Sequence, residues 1–87
     1  MIHESLKRHD VADPRAIGRR IRAARKSRGW RIRDLADAVG VKEPTVKCWE
    51  SGSYVTKVTK MIRLCHALRR SMDWLVMGRG RNARHWN

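Results

Sequence analysis

The segment Leu35-Ala36-Asp37-Ala38-Val39-Gly40-Val41-Lys42-Glu43-Pro44-Thr45-Val46-Lys47-Cys48-Trp49-Glu50-Ser51-Gly52 constrains this chain more than any other. Its pattern predicts two short helices joined by a tight turn at Gly40. Ala36 stands four residues before that glycine and Val46 six residues after it. Two helices crossing at roughly 90–120° need a small side chain where they approach, a corner residue free to take φ > 0, and an apolar plug beyond the corner. All three are in place here. A helix-turn-helix of this geometry is the unit that lays a helix in the DNA major groove.

The charge points the same way. The 87 residues carry 21 Lys and Arg against 8 Asp and Glu, a formal net charge of +13. The charge is clustered: nine basic residues and no acid lie between Arg15 and Arg33. Such a field is the footprint of a polyanionic partner. An anionic membrane surface would also attract it. However, no segment approaches the ~18 apolar residues of a spanning helix, and Met1-Ile2-His3-Glu4-Ser5-Leu6-Lys7-Arg8 lacks an apolar signal core. The expected location is therefore cytoplasmic, with the nucleoid, and no membrane partner is expected.

Enzymatic chemistry is not expected. The charged residues spread over helix faces without a nucleophile–base pair, paired carboxylates or a phosphate-cradling glycine loop. Cys48 and Cys65 form no C-x-x-C pair, and His3, His9, His66 and His85 show no metal-ligand spacing with them. No metal and no cofactor are expected, and both thiols read as reduced.

Along the chain, residues 1–12 lack periodicity and read as an arm. Asp13-Pro14 is a helix start, with an acceptor at the cap and proline at the first helical position. The first helix runs to about Arg28, turns Ile17, Ile21 and Ala24 inward, and stops at Gly29. A second, Ile32 to Val39, buries Leu35, Ala36 and Val39. A third, Pro44 to Ser51, buries Val46 and Trp49 and ends at Gly52. Thr56 is the expected N-cap of a fourth helix with an apolar stripe of Val58, Met61, Ile62, Cys65 and Leu68. Ser71 caps a last helix, Met72 to Met77, closed by Gly78. Trp30 is expected to plug the core after the first helix. Residues 79–87 read as a basic tail in which Trp86 has no helix to support it. The predicted organisation is an arm (1–12), one all-α domain (13–78) and a tail (79–87).

This arrangement resembles the XRE/Cro–repressor family of phage and bacterial DNA-binding domains. The resemblance runs from Ile17 to Gly78. It is carried by Leu35-Ala36, Gly40-Val41, Thr45-Val46, the Trp49-Glu50-x-Gly52 ending and Asp73-Trp74-Leu75-Val76-Met77-Gly78. It implies a five-helix, lambda-repressor-like bundle with the helix-turn-helix as helices two and three. It also implies a homodimer on operator DNA with the third helix in the major groove.

Residue by residue, the resemblance implies that Arg25 pairs with Glu50 and ties helix one to helix three. The positions matching Glu43, Pro44, Thr45 and Cys48 are those at which relatives touch base edges. No Arg, Gln or Asn stands there for bidentate contacts. Lys47 can donate to guanine, the Thr45 methyl can pack on thymine, and Glu43 can accept from cytosine N4. Alternatively, Glu43 only complements the helix dipole. Arg31, Arg33, Lys42, Tyr54, Thr56, Lys57 and Lys60 are the expected phosphate contacts. Two positions depart from the family pattern. Ile32 stands where a phosphate-contacting glutamine is common. Arg69-Arg70 stands where a glycine and an apolar residue are common, so a different turn is expected there. Trp74, Leu75 and Met77 are core, dimer interface or both.

The function expected is sequence-specific binding of double-stranded DNA by a transcriptional regulator of the phage or prophage repressor or Cro type. The alternative is an antitoxin or restriction–modification controller, which represses its own operon and binds a protein partner. A non-specific nucleoid or RNA-binding role is a third reading. A lone Tyr and no Phe argue against a stacking platform for single strands.

Overall fold

Five helices account for the architecture: α1 (Pro14–Ser27), α2 (Ile32–Val39), α3 (Glu43–Ser51), α4 (Val58–Leu68) and α5 (Asp73–Met77), the last a single π-type turn. The computed structural model describes residues 13–80. The expected arm and residues 81–87 of the expected tail, Trp86 among them, lie outside the described residues. No strand occurs among those described.

The first helix begins as its cap dictates. The Asp13 carboxylate accepts from the Arg15 N–H at 3.1 Å, and Pro14 needs no partner for a missing N–H. Ile17, Ile21 and Ala24 face the core at 0–2 % exposure. At α2 the Asp34 carboxylate accepts from the Arg31 N–H at 2.8 Å. That backbone bond is the main reason its pKa lies below the ordinary aspartate value, with the Arg31 and Arg33 charges adding to it. Helix α3 starts one residue earlier than expected, at Glu43. Pro44 fits either of the first two positions, because neither N–H would have an intrahelical partner.

Helix α4 departs from the expected pattern twice. Its cap is Lys57, not Thr56, and no side chain satisfies its first amides. The helix starts at Val58, which leaves Thr56 too far upstream. Its buried face is Met61, Leu64, Cys65 and Leu68, while Val58 is 70 % and Ile62 45 % exposed. The apolar arc of this helix is wider than the face α1 and α2 can cover. The rotation of α4 against them decided which edge of the arc stays wet, and it brought in Leu64. Burial raises the Cys65 thiol pKa.

The turn after α4 keeps the form that glycine usually provides, contrary to expectation. Arg69 itself is left-handed (φ 58°, ψ 48°), and its N–H bonds the Cys65 carbonyl. A side chain in this region carries strain of about 1–2 kcal/mol. Arg69→Gly should therefore stabilise the protein by about 0.5–1 kcal/mol, once the greater freedom of the unfolded glycine is set against it. A thermal melt should rise by a few degrees.

The Ser71 hydroxyl accepts from the Trp74 N–H at 3.0 Å, the contact expected of it, although α5 begins at Asp73, one residue later than expected, with Met72 at its cap position. Arg20 of α1 then holds the far end. Its Nη1 donates to the Leu75 and Val76 carbonyls, each at 3.2 Å. Carbonyls at a helix end have no intrahelical donor, and a guanidinium there also suits the negative end of the dipole.

Candidate nucleic-acid interface

The corner between α2 and α3 sets the direction of α3. Gly40 is left-handed (φ 83°), and the N–H groups of Gly40 and Val41 both bond the Ala36 carbonyl, at 2.8 and 3.0 Å. Val46 and Trp49 turn inward at 0 and 2 % exposure. Helical geometry then leaves Glu43, Pro44, Thr45, Lys47 and Cys48 on one outer arc. Glu43, Pro44 and Lys47 are exposed, and Thr45 and Cys48 are half-buried.

Two open hollows flank this arc. One, of about 530 Å³, is lined by Asp37, Lys42, Glu43, Pro44 and Lys47 among others. The other, of about 490 Å³, is lined by Thr45, Trp49, Tyr54, Val55, Thr56, Lys57 and Lys60, and no acid lines it. The structure thus brings Lys42 to one flank of α3 and Tyr54, Thr56, Lys57 and Lys60 to the other. Arg31 and Arg33 lie at the start of α2, both largely exposed, and of the two Arg33 approaches α3. Arg33 Nε lies 3.8 Å from the Glu43 carboxylate. At that distance and exposure the pair adds little, and it leaves Glu43 free to meet a base or to serve the helix dipole. Ile32, at the position where the resemblance implies a polar phosphate contact, packs half-buried against the core.

Behind the arc, Arg25 and Glu50 meet as a two-pronged pair. Arg25 Nε donates to Glu50 Oε2 at 2.6 Å and Nη2 to Oε1 at 3.0 Å. Its third nitrogen, Nη1, donates to the Trp30 carbonyl at 2.8 Å. Both side chains are only 8 % exposed. The hydrogen bonds to Glu50 are the main reason the Arg25 pKa is raised, against the opposing effect of burial. Trp30 itself is half-buried against the core, with the Arg28 guanidinium 4.3 Å from its ring centre.

Three features of the site escaped the sequence reading. Gly18, at the crossing of α1 and α3, shares the inward face with Ile21 and Arg25 at i, i+3 and i+7, a spacing that could have exposed it. The latch from Arg20 to the α5 carbonyls carries no sequence signal, because it joins groups 55 and 56 residues apart. The third is the indole Nε1 of Trp49, which is buried without a partner.

On α5, Leu75 is fully buried and belongs to the core, while Trp74 and Met77 are half-buried. Arg70 reaches over the Trp74 ring at 5.4 Å and donates to the Ser27 hydroxyl at 3.2 Å. Among the described residues no three His, Cys, Asp or Glu gather as metal ligands, and no helix is long and apolar enough to cross a membrane.

A family model described as helix-turn-helix matches residues 21–75. The chain belongs to this helix-turn-helix family, of the XRE/Cro–repressor type. Among solved structures it is similar to the P22 c2 repressor protein in complex with synthetic operator 9T, determined in the presence of Tl+. The two are 33 % identical with a TM-score of 0.70, over 72 % of this chain and 96 % of that one. No curated protein sequence matches the chain.

Proposed function

We propose that this DNA-binding transcriptional regulator is of the phage or prophage repressor or Cro type, and that it reads double-stranded operator DNA as a homodimer with α3 in the major groove. The observation that supports it best is the outer arc of α3, flanked on both sides by hollows that carry lysines. The similar P22 c2 repressor structure holds a synthetic operator.

In this reading Thr45, Lys47 and Cys48 meet base edges, with Glu43 and Pro44 at the entry to the groove. Arg31, Arg33, Lys42, Tyr54, Thr56, Lys57 and Lys60 hold phosphates and set the register without reading sequence. Arg25 and Glu50 are structural. The half-buried Trp74 and Met77 form the dimer surface, backed by Leu75 from the core. Residues 13–78 are the DNA-binding domain, and the role places the chain with the DNA in the cytoplasm.

Selection of bound duplexes from a random pool at ~150 mM salt tests this. Enrichment of an inverted repeat with centres ~10 base pairs apart is expected. Tight binding without enrichment would overturn the sequence-reading role and leave backbone-driven association. Affinity should also fall by about a thousandfold or more between ~50 and ~200 mM salt, because each neutralised phosphate releases counterions. An unchanged affinity would contradict the electrostatic account.

A further inference from the structure

We propose that the groove between α2 and the outer side of α4 is a docking surface for a protein partner, and that it takes an acidic amphipathic helix. The surface is separate from the DNA-reading arc and does not depend on it.

Four of the five large apolar side chains that stand exposed among the described residues, Tyr54, Val55, Val58 and Ile62, are close together in the chain. Val58 and Ile62 lie one helical turn apart on α4 and so share a face. From Ile62 this face runs into a hollow of about 480 Å³, walled by Ala38 of α2 and by Ile62, Arg63, His66 and Ala67 of α4. Three of these five residues are apolar, and none is an acid. An exposed apolar strip with a polar rim marks an interaction surface rather than a solvated face. The hollow shares no residue with either of those beside α3, so the reading arc is not part of it.

Charge selects the occupant. Residues 51–72 contain five Lys and Arg and no Asp or Glu. Asp37, next to Ala38 in the chain, lines the hollow beside α3 instead. Arg63 reaches back to α2, its Nη1 donating to the Val39 carbonyl at 3.4 Å. The rest of its N–H fork is left for a carboxylate. A second copy of the chain would set the same basic rim against itself, and like charges facing across an interface oppose binding. Neither end of the chain supplies an acidic face: residues 81–87 carry no acid, and residues 1–12 set Glu4 and Asp10 against Lys7 and Arg8. A DNA backbone gains nothing from Ala38, Ile62 and Ala67, which have no side-chain donor. A helix with apolar residues at i, i+3 or i+4 and acids beside them satisfies both parts of the surface. Its apolar face covers Val58 and Ile62 while its carboxylates meet Arg63 and His66.

The test is a selection of random peptides of about 16 residues, four to five helical turns, displayed on phage and bound to the full chain. At ~150 mM salt, charges far from the groove are screened. Enriched peptides should combine Asp or Glu with apolar residues at helical spacing. Added to the ¹⁵N-labelled chain, such a peptide should shift the Ala38, Ile62, His66 and Ala67 amides. Ile62→Ser and Arg63→Ala should each weaken its binding by about tenfold or more. Arg22→Ala, on the exposed side of α1, should change it by less than about twofold. If a variant fails to fold, the shifts in the unaltered chain decide. No enrichment, enriched peptides without acids, or an equal loss in Arg22→Ala would each overturn the proposal. Movement of the same amides on dilution of the chain alone would give the surface to a second copy. Movement with phosphatidylglycerol vesicles, and no enriched peptide, would give it to a membrane. Either result would overturn the protein partner.

Discussion

Gly18→Ala should destabilise this protein by about 2–3 kcal/mol, although alanine favours a helix over glycine by about 1 kcal/mol. The reason is the crossing of α1 and α3. A Cβ at Gly18 would stand 2.6 Å from the Glu50 carbonyl oxygen and nearer still to that of Trp49. Both obstacles are backbone, so no rotamer change relieves them, and the two helices must separate. Separation loosens the contact through which α3 is held, since Val46 and Trp49 pack on the core that α1 helps to build. A fall in melting temperature of about 10–20 °C is expected for a domain of this size. Gly29→Ala is the control. That glycine is left-handed (φ 72°) but has nothing within 4 Å of the added carbon, so only the backbone strain of about 1–2 kcal/mol applies. A Gly18→Ala melt no worse than that of Gly29→Ala would show that the crossing tolerates a methyl group.

Arg25→Met should cost about 3–5 kcal/mol in chemical denaturation, the usual penalty for leaving one partner of a buried ion pair alone. Glu50 would remain 8 % exposed with no cation, and the Trp30 carbonyl would lose its donor as well. Glu50→Leu should cost less than Arg25→Met, because only Arg25 serves two partners. The double variant Arg25→Met, Glu50→Leu should recover most of the loss, since apolar residues of similar volume carry no desolvation penalty. The interaction energy from this cycle separates pairing from packing. If the two single losses simply add, the groups act independently despite the 2.6 Å contact. A Glu50→Gln protein that folds normally yet no longer binds DNA would assign Glu50 to the interface instead.

These two sites show what was legible in the residues and what was not. The Arg25–Glu50 pair was visible only through resemblance to relatives, because nothing in local spacing connects residues 25 apart. Gly18 was visible in principle from its helical phase, but its weight depends on which backbone passes over it. Which residues of α3 face outward was legible from the phase of Val46 and Trp49 alone. By contrast, no property of Lys57 or Tyr54 announces that they share a hollow with Thr45.

The sequence by itself determined that five helices form and where most of them end, the two ends of α4 excepted. Asp13-Pro14, Ser71 and the left-handed glycines at 29, 40, 52 and 78 act through hydrogen bonds and backbone freedom within a few residues, and such local physics is written in the local chain. Only the tertiary structure decided the rest. It chose Leu64 over Val58 and Ile62 for the core, held Arg69 in a left-handed turn, clamped α5 with Arg20, and left the Trp49 indole without an acceptor. Each of these depends on how one helix is rotated against another. That rotation is set by the packing of all the helices together, which no single stretch of sequence contains.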